Sequence, residues 1–112
     1  MADMERTIKR VEDETKLFFI DVYIVKNGIV KKSWSSKTGN KDLGSCMVMA
    51  TFWDENGLQY SLDIKDYLME YYNKPYISEE MVSKFKDDAK AGLMKFRYNE
   101  GLEILYWMTE CS

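Results

Sequence analysis

Histidine is absent from the 112 residues. That removes the commonest general base near neutral pH, and with two cysteines and no Cys-x-x-Cys spacing it leaves neither a zinc quartet nor a Cys–His nucleophile. Proline occurs once, as Pro75, so the punctuation of the chain must be read from its six glycines and their Asn and Asp neighbours. No uninterrupted apolar run approaches the roughly 20 residues that cross a bilayer, and the opening MADMERTIKR has no apolar core of a secretion signal behind its charges. A chain of this kind is expected in the reducing cytoplasm, away from membranes. Cys46 then serves as a buried strand residue and Cys111 as a free thiol beside the chain end, with no disulfide between them. Carboxylate pairs stand at Asp54-Glu55, Glu79-Glu80 and Asp87-Asp88, in predicted turns or on helix surfaces, and read as solvated charge. None has the spacing of a metal loop, and no Gly-rich phosphate cradle is present. The expectation is a protein that is not an enzyme and holds no cofactor or metal.

Composition places the chain among folded proteins: 46% of residues are hydrophobic and 14% aromatic, enough for one core in one domain. The formal charge of −3 is unevenly spread. Residues 1–45 hold nine Lys/Arg against seven Asp/Glu, whereas residues 46–112 hold seven against twelve. A basic segment on an acidic body can still bind phosphate locally.

Residues 1–16, dense in charge, read as a mobile N-terminal arm, and 17–112 as a single globular domain. The stretch 17–35 is rich in β-branched and aromatic residues and reads as β structure. Phe18, Ile20, Val22 and Ile24 form one face and Leu17, Phe19, Tyr23 and Val25 the other, so the first half is expected to be covered on both sides. Asn27-Gly28 within it permits two forms, a tight hairpin or a bulge in one long bent strand. A polar loop follows over 36–44. The stretch 45–64 is a hairpin: an apolar run to Trp53, the turn Asp54-Glu55-Asn56-Gly57, then alternation with Leu58, Tyr60, Leu62 and Ile64 on the core side.

From Lys65 the period becomes helical through Tyr67, Leu68, Tyr71 and Tyr72, until Asn73-Lys74-Pro75 stops it. A second helix is expected after Ser78, with Met81, Val82, Phe85 and Ala89 as its apolar stripe and Gly92 as its stop. The chain closes with a third hairpin, 93–98 returning as 102–108 through Asn99-Glu100-Gly101.

With 17–35 as one bent strand the order is β-β-β-α-β-β. A curved first strand containing Gly28, the Lys-Thr-Gly loop at 37–39 and MVMATFWDENG resemble the strand 1, loop and strand 2 pattern of single-strand-binding OB modules of the replication-protein-A type. Here Phe52-Trp53 precedes the acidic turn, where that family places its Trp after it. The resemblance implies a mainly β, α+β fold, a five-stranded OB-like barrel with a helical insertion between strands 3 and 4. The alternative is three β-hairpins forming an antiparallel sheet packed on two helices.

On an OB barrel, ligands lie across strands 2 and 3 and between the loops joining strands 1–2 and 4–5. Lys31, Lys32, Trp34, Lys37 and Lys41 surround the first loop, and Lys95, Arg97 and Tyr98 the second. Cations that track phosphates beside rings that stack on bases suit single-stranded nucleic acid. A second reading is a protein-interaction module, such as a small viral or bacterial inhibitor or assembly subunit, that uses the cluster Tyr67, Tyr71, Tyr72 and Tyr76 to meet a protein partner or a second copy of itself.

Overall fold

A computed structural model describes residues 14–32, 42–99 and 104–109. Its strands are β1 (Glu14–Lys26), β2 (Ile29–Lys31), β3 (Met47–Trp53), β4 (Gln59–Asp63), β5 (Met94–Asn99) and β6 (Ile104–Thr109). Two helices, α1 (Lys65–Tyr71) and α2 (Glu79–Lys90), separate β4 from β5. All pairings are antiparallel, in the order β4-β3-β1-β5-β6, with β2 folded back on β1. The sheet is curled into a half-barrel with the helices against it, an α+β fold.

Curling is visible in contacts between strands that are not neighbours. Phe52 of β3 lies 5.0 Å, centroid to centroid, from Phe96 of β5, and Tyr60 of β4 lies 5.7 Å from Tyr98 of β5. These pairs fill the concave side together with Phe19, Val22, Ile24, Val48 and Ala50.

The first strand shows how the sequence achieves the curl. Against β3 its register runs Phe19 with Phe52 and then Asp21 with Thr51, so Ile20 is an extra residue. Such a bulge bends the strand and exchanges its two faces. Leu17 and Phe19 therefore point inward before the bulge, and Val22 and Ile24 after it. The long apolar run reflects this change of parity rather than cover on both sides: Phe18 remains 46% exposed.

The bulge and the hairpin, read from the sequence as alternatives at Asn27-Gly28, both exist at different places. Asn27 and Gly28 have φ of 53° and 78° and form a two-residue turn that pairs Lys26 with Ile29. Strand β1 also begins at Glu14, so residues 14–16 of the expected arm are paired with β5; residues 1–13 lie outside the described residues. Among residues 17–112 the described segments belong to this one sheet and its helices.

The central hairpin follows the expected course, with a wider turn than its Asn-Gly suggests. Asp54 closes it: its carboxylate Oδ1 accepts from the amides of Asn56 at 2.9 Å and Leu58 at 2.8 Å, and only Gly57 takes a positive φ. Leu58, expected on the core side, is 60% exposed because it still belongs to this turn. Past it, Tyr60, Leu62 and Ile64 turn inward as the alternation requires.

Helix α2 starts where the cap residue indicates. Ser78 is extended and fully buried, and its Oγ accepts from the Met81 amide at 3.3 Å. Met81, Val82, Phe85 and Ala89 face the core, and Gly92, with φ of 78°, ends the segment. Edge pairing explains where α2 lies. β5 pairs β1 only as far as Leu17, and β2 takes over only from Ile24. Helix α2 meets the stretch between: Phe85 packs on Phe19 at 5.6 Å, and Lys86 and Lys90 reach Asp21 at 3.4 and 3.7 Å.

Helix α1 performs a related task at the other end of the sheet. Tyr67 and Tyr71 pack on Trp107 of β6 at 6.1 and 5.6 Å, and the Leu105 amide of β6 donates to the Tyr67 hydroxyl at 3.3 Å. Among the described residues β4 and β6 do not pair, and α1 stands beside the edge that such pairing would use. No described helix is long and apolar enough to cross a membrane.

Candidate functional site

The outward face of the sheet gathers a patch of rings and cations. Phe18 and Trp53 are cross-strand partners on β1 and β3, 46% and 44% exposed. Lys16, two residues from Phe18 and therefore on its face, sets its Nζ 5.3 Å from the centre of the Phe18 ring. Lys16 is in turn the partner of Arg97 on β5. A cleft of about 350 Å³ beside them is lined by Lys16, Phe18, Lys95 and Arg97, with Gly92 at the end of α2. A second, polar hollow brings Lys16 and Arg97 beside Glu14, Asp54 and Glu55, so the cations border an acidic turn.

Of the residues singled out from the sequence, Lys95 and Arg97 belong to this patch. Tyr98 does not: alternation turns it inward, where it is half-buried against Tyr60. Lys31 and Lys32 lie at the far end of β1, since Lys31 pairs with Ile24 and Arg97 with Lys16. The structure therefore does not bring the described part of the first basic group to the second. About eight residues of strand, roughly 25 Å at 3.3 Å per residue, separate them. Trp34, Lys37 and Lys41 lie outside the described residues.

Lys31 has a further role. Its Nζ lies 2.5 Å from Oε1 of Glu79, whose side chain is 8% exposed. Glu79, read as solvated charge, is in fact buried at the start of α2, and Lys31 is its cationic partner. Lys32 contributes its carbonyl, which accepts from Lys86 Nζ at 3.1 Å.

The four tyrosines divide. Tyr67 and Tyr76 are partly buried against the core, and Tyr71 is 42% exposed. Tyr72 buries its hydroxyl without a hydrogen-bond partner among the described residues. Burial pushes its phenol well above the ordinary range, with Asp88 adding to the effect, so it stays protonated. Cys46 is a buried free thiol that desolvation pushes up, against the pull of Lys65 and Lys26, which keeps it in the unreactive thiol form.

Phe18, Trp53 and Lys16 are the functional candidates that sequence reading missed. The signal lay in the alternation: once Phe52 is assigned to the core, Trp53 must face out. For Phe18 the bulge at Ile20 had to be known first. Comparison with protein-family models, curated proteins and solved structures finds no match for the chain.

Proposed function

We propose that this protein is a non-enzymatic single-stranded nucleic-acid-binding module of the OB type, and that its contact surface is the outward patch of Lys16, Phe18, Trp53, Lys95 and Arg97. The observation that carries the reading is the pairing of two exposed rings, Phe18 and Trp53, beside Lys16 and Arg97 on adjacent strands. Rings accept stacked bases at about 1–3 kcal/mol each whatever the sequence, while the cations follow the phosphates. The strand order supports an OB relationship. With β2 counted as the return of strand 1, the sheet reads 3-2-1-4-5 and the helices fall between strands 3 and 4. In this reading the barrel is completed by α1 rather than by pairing of β4 with β6. The surface also differs from the usual OB ligand face, since its cations come from strands 1 and 4.

Fluorescence anisotropy with labelled oligo(dT) and oligo(U) at low salt tests the proposal. Binding is expected to weaken with salt at a log–log slope of about −2, for three cations on a single strand. Trp53→Ala should weaken binding roughly tenfold or more at constant fold, as judged by circular dichroism. Absence of binding to either strand at low salt would overturn it.

The protein-interaction reading retains one observation: Ile29 and Val30 of the three-residue strand β2 are 70% and 51% exposed. It requires a partner that survives nuclease treatment in a pull-down and is lost with Val30→Lys.

A further inference from the structure

A second cleft, of about 460 Å³, runs between α1 and β6 and is separate from the basic patch. Its walls include Tyr67, Tyr71 and Trp107, and among the described residues Glu70 is the carboxylate that lines it. The sequence places these groups together: Tyr67, Glu70 and Tyr71 are three and four apart on one helix, so they share a face, and β6 presents Trp107 to it. The indole meets Tyr67 at an interplanar angle of 56° and Tyr71 at 61°. Neither ring stacks flat on it, and the three form angled walls. Trp107 is held by Phe85 and Phe96 behind it, at 5.4 and 5.9 Å, which fixes one wall before any ligand arrives.

Angled aromatic walls with a carboxylate among them attract a large, weakly hydrated cation, because the ring quadrupoles present negative faces and the carboxylate supplies net charge. The neighbouring tyrosine already receives an ammonium from within the chain: Lys84 Nζ lies 5.8 Å over the Tyr72 ring, and Tyr72 is in edge contact with Tyr71 at 4.9 Å. Among the described residues no lysine or arginine lines the cleft. We propose that this cleft is a binding site for a quaternary ammonium group, with Trp107, Tyr67 and Tyr71 as its walls and Glu70 as its counter-ion.

The test follows the Trp107 indole N–H resonance, told apart from those of Trp34 and Trp53 by Trp→Phe variants, in the full chain titrated with tetramethylammonium chloride. The neutral isostere 3,3-dimethylbutan-1-ol, of similar shape, serves as the comparison. Saturable shifts of Trp107 are expected with the cation at millimolar concentration, at least fivefold tighter than with the alcohol. Glu70→Gln, an exposed change, should weaken the cation several-fold and leave the alcohol unaffected. Choline and Nε-trimethyl-lysine amide, as further arms, separate a small free cation from a methylated lysine side chain as the source of the group. Equal binding of cation and alcohol, or cation binding that Glu70→Gln leaves unchanged, would overturn the proposal, as would absence of a saturable shift.

Discussion

Two charged residues show how position rather than type assigns a role. Lys31 looks like any surface lysine beside a polar loop, yet its ammonium is taken up by a glutamate buried at the start of α2. A hydrogen bond to a charged group is worth about 1.5–3 kcal/mol, and the half-exposure of Lys31 places this one at the lower end. Lys31→Met is accordingly expected to lower unfolding stability in urea by about 1–2 kcal/mol, with part restored by Glu79→Gln in the same chain. The same variant should leave oligonucleotide affinity within about twofold, since the cation it removes is already occupied. A large loss of affinity would return Lys31 to the binding surface.

Asp21 makes the complementary case. Burial pushes its carboxyl up, but the Val22 amide, Lys86 and Lys90 together outweigh burial and hold it below the ordinary value of 3.8. A depressed carboxyl stabilises the fold above its unfolded value and loses that contribution as pH falls through the folded one. Stability should thus decline below about pH 4, and Asp21→Asn should flatten that part of the profile. The effect is limited to about 1 kcal/mol or less, because the side chain is about one-third exposed. Thermal unfolding scans from pH 6 to pH 2 would measure it.

The elements were legible where one local rule governs them. Ser78 announced α2 by its cap and Gly92 its end, and the structure uses both. Ser78→Ala should remove the bond to the Met81 amide and cost about 1 kcal/mol, or about 4–8 °C in melting temperature. An unchanged melting temperature would mean that the cap does no more than mark the boundary. Strand β1 was legible as β structure but not as to which residues face in, because one inserted residue exchanges its faces. The run LFFIDVYIV does not mark Ile20 as the extra residue, since Leu17, Phe18, Phe19 and Ile20 are all apolar and either parity suits them. That single ambiguity hid Phe18, and with it the ring partner of Trp53. Lys95 and Arg97 were visible because they stand beside the expected loop of the last hairpin, a criterion that also took in Tyr98, which alternation turns inward.

At the scale of the molecule, the open question is how a curled sheet with five neighbouring strands avoids leaving two bare edges. Sequence order could suggest a barrel, but closure depends on whether β4 reaches β6, a non-local contact that no local pattern encodes. In the structure α1 stands at that edge, and the Tyr67 hydroxyl takes the Leu105 amide that a neighbouring strand would otherwise take. An edge amide buried without a partner costs about 1–3 kcal/mol, so this hydroxyl stands in for a strand. Tyr67→Phe keeps the ring against Trp107 and removes only the acceptor. Hydrogen exchange followed residue by residue should then show the Leu105 amide exchanging about fivefold faster or more, corresponding to about 1 kcal/mol. The amides of Val22 and Val48, at the centre of the sheet, should change only as far as global stability changes. If β4 and β6 paired to close the barrel, the Leu105 amide would have a backbone acceptor of its own, and its exchange would not respond to loss of the hydroxyl.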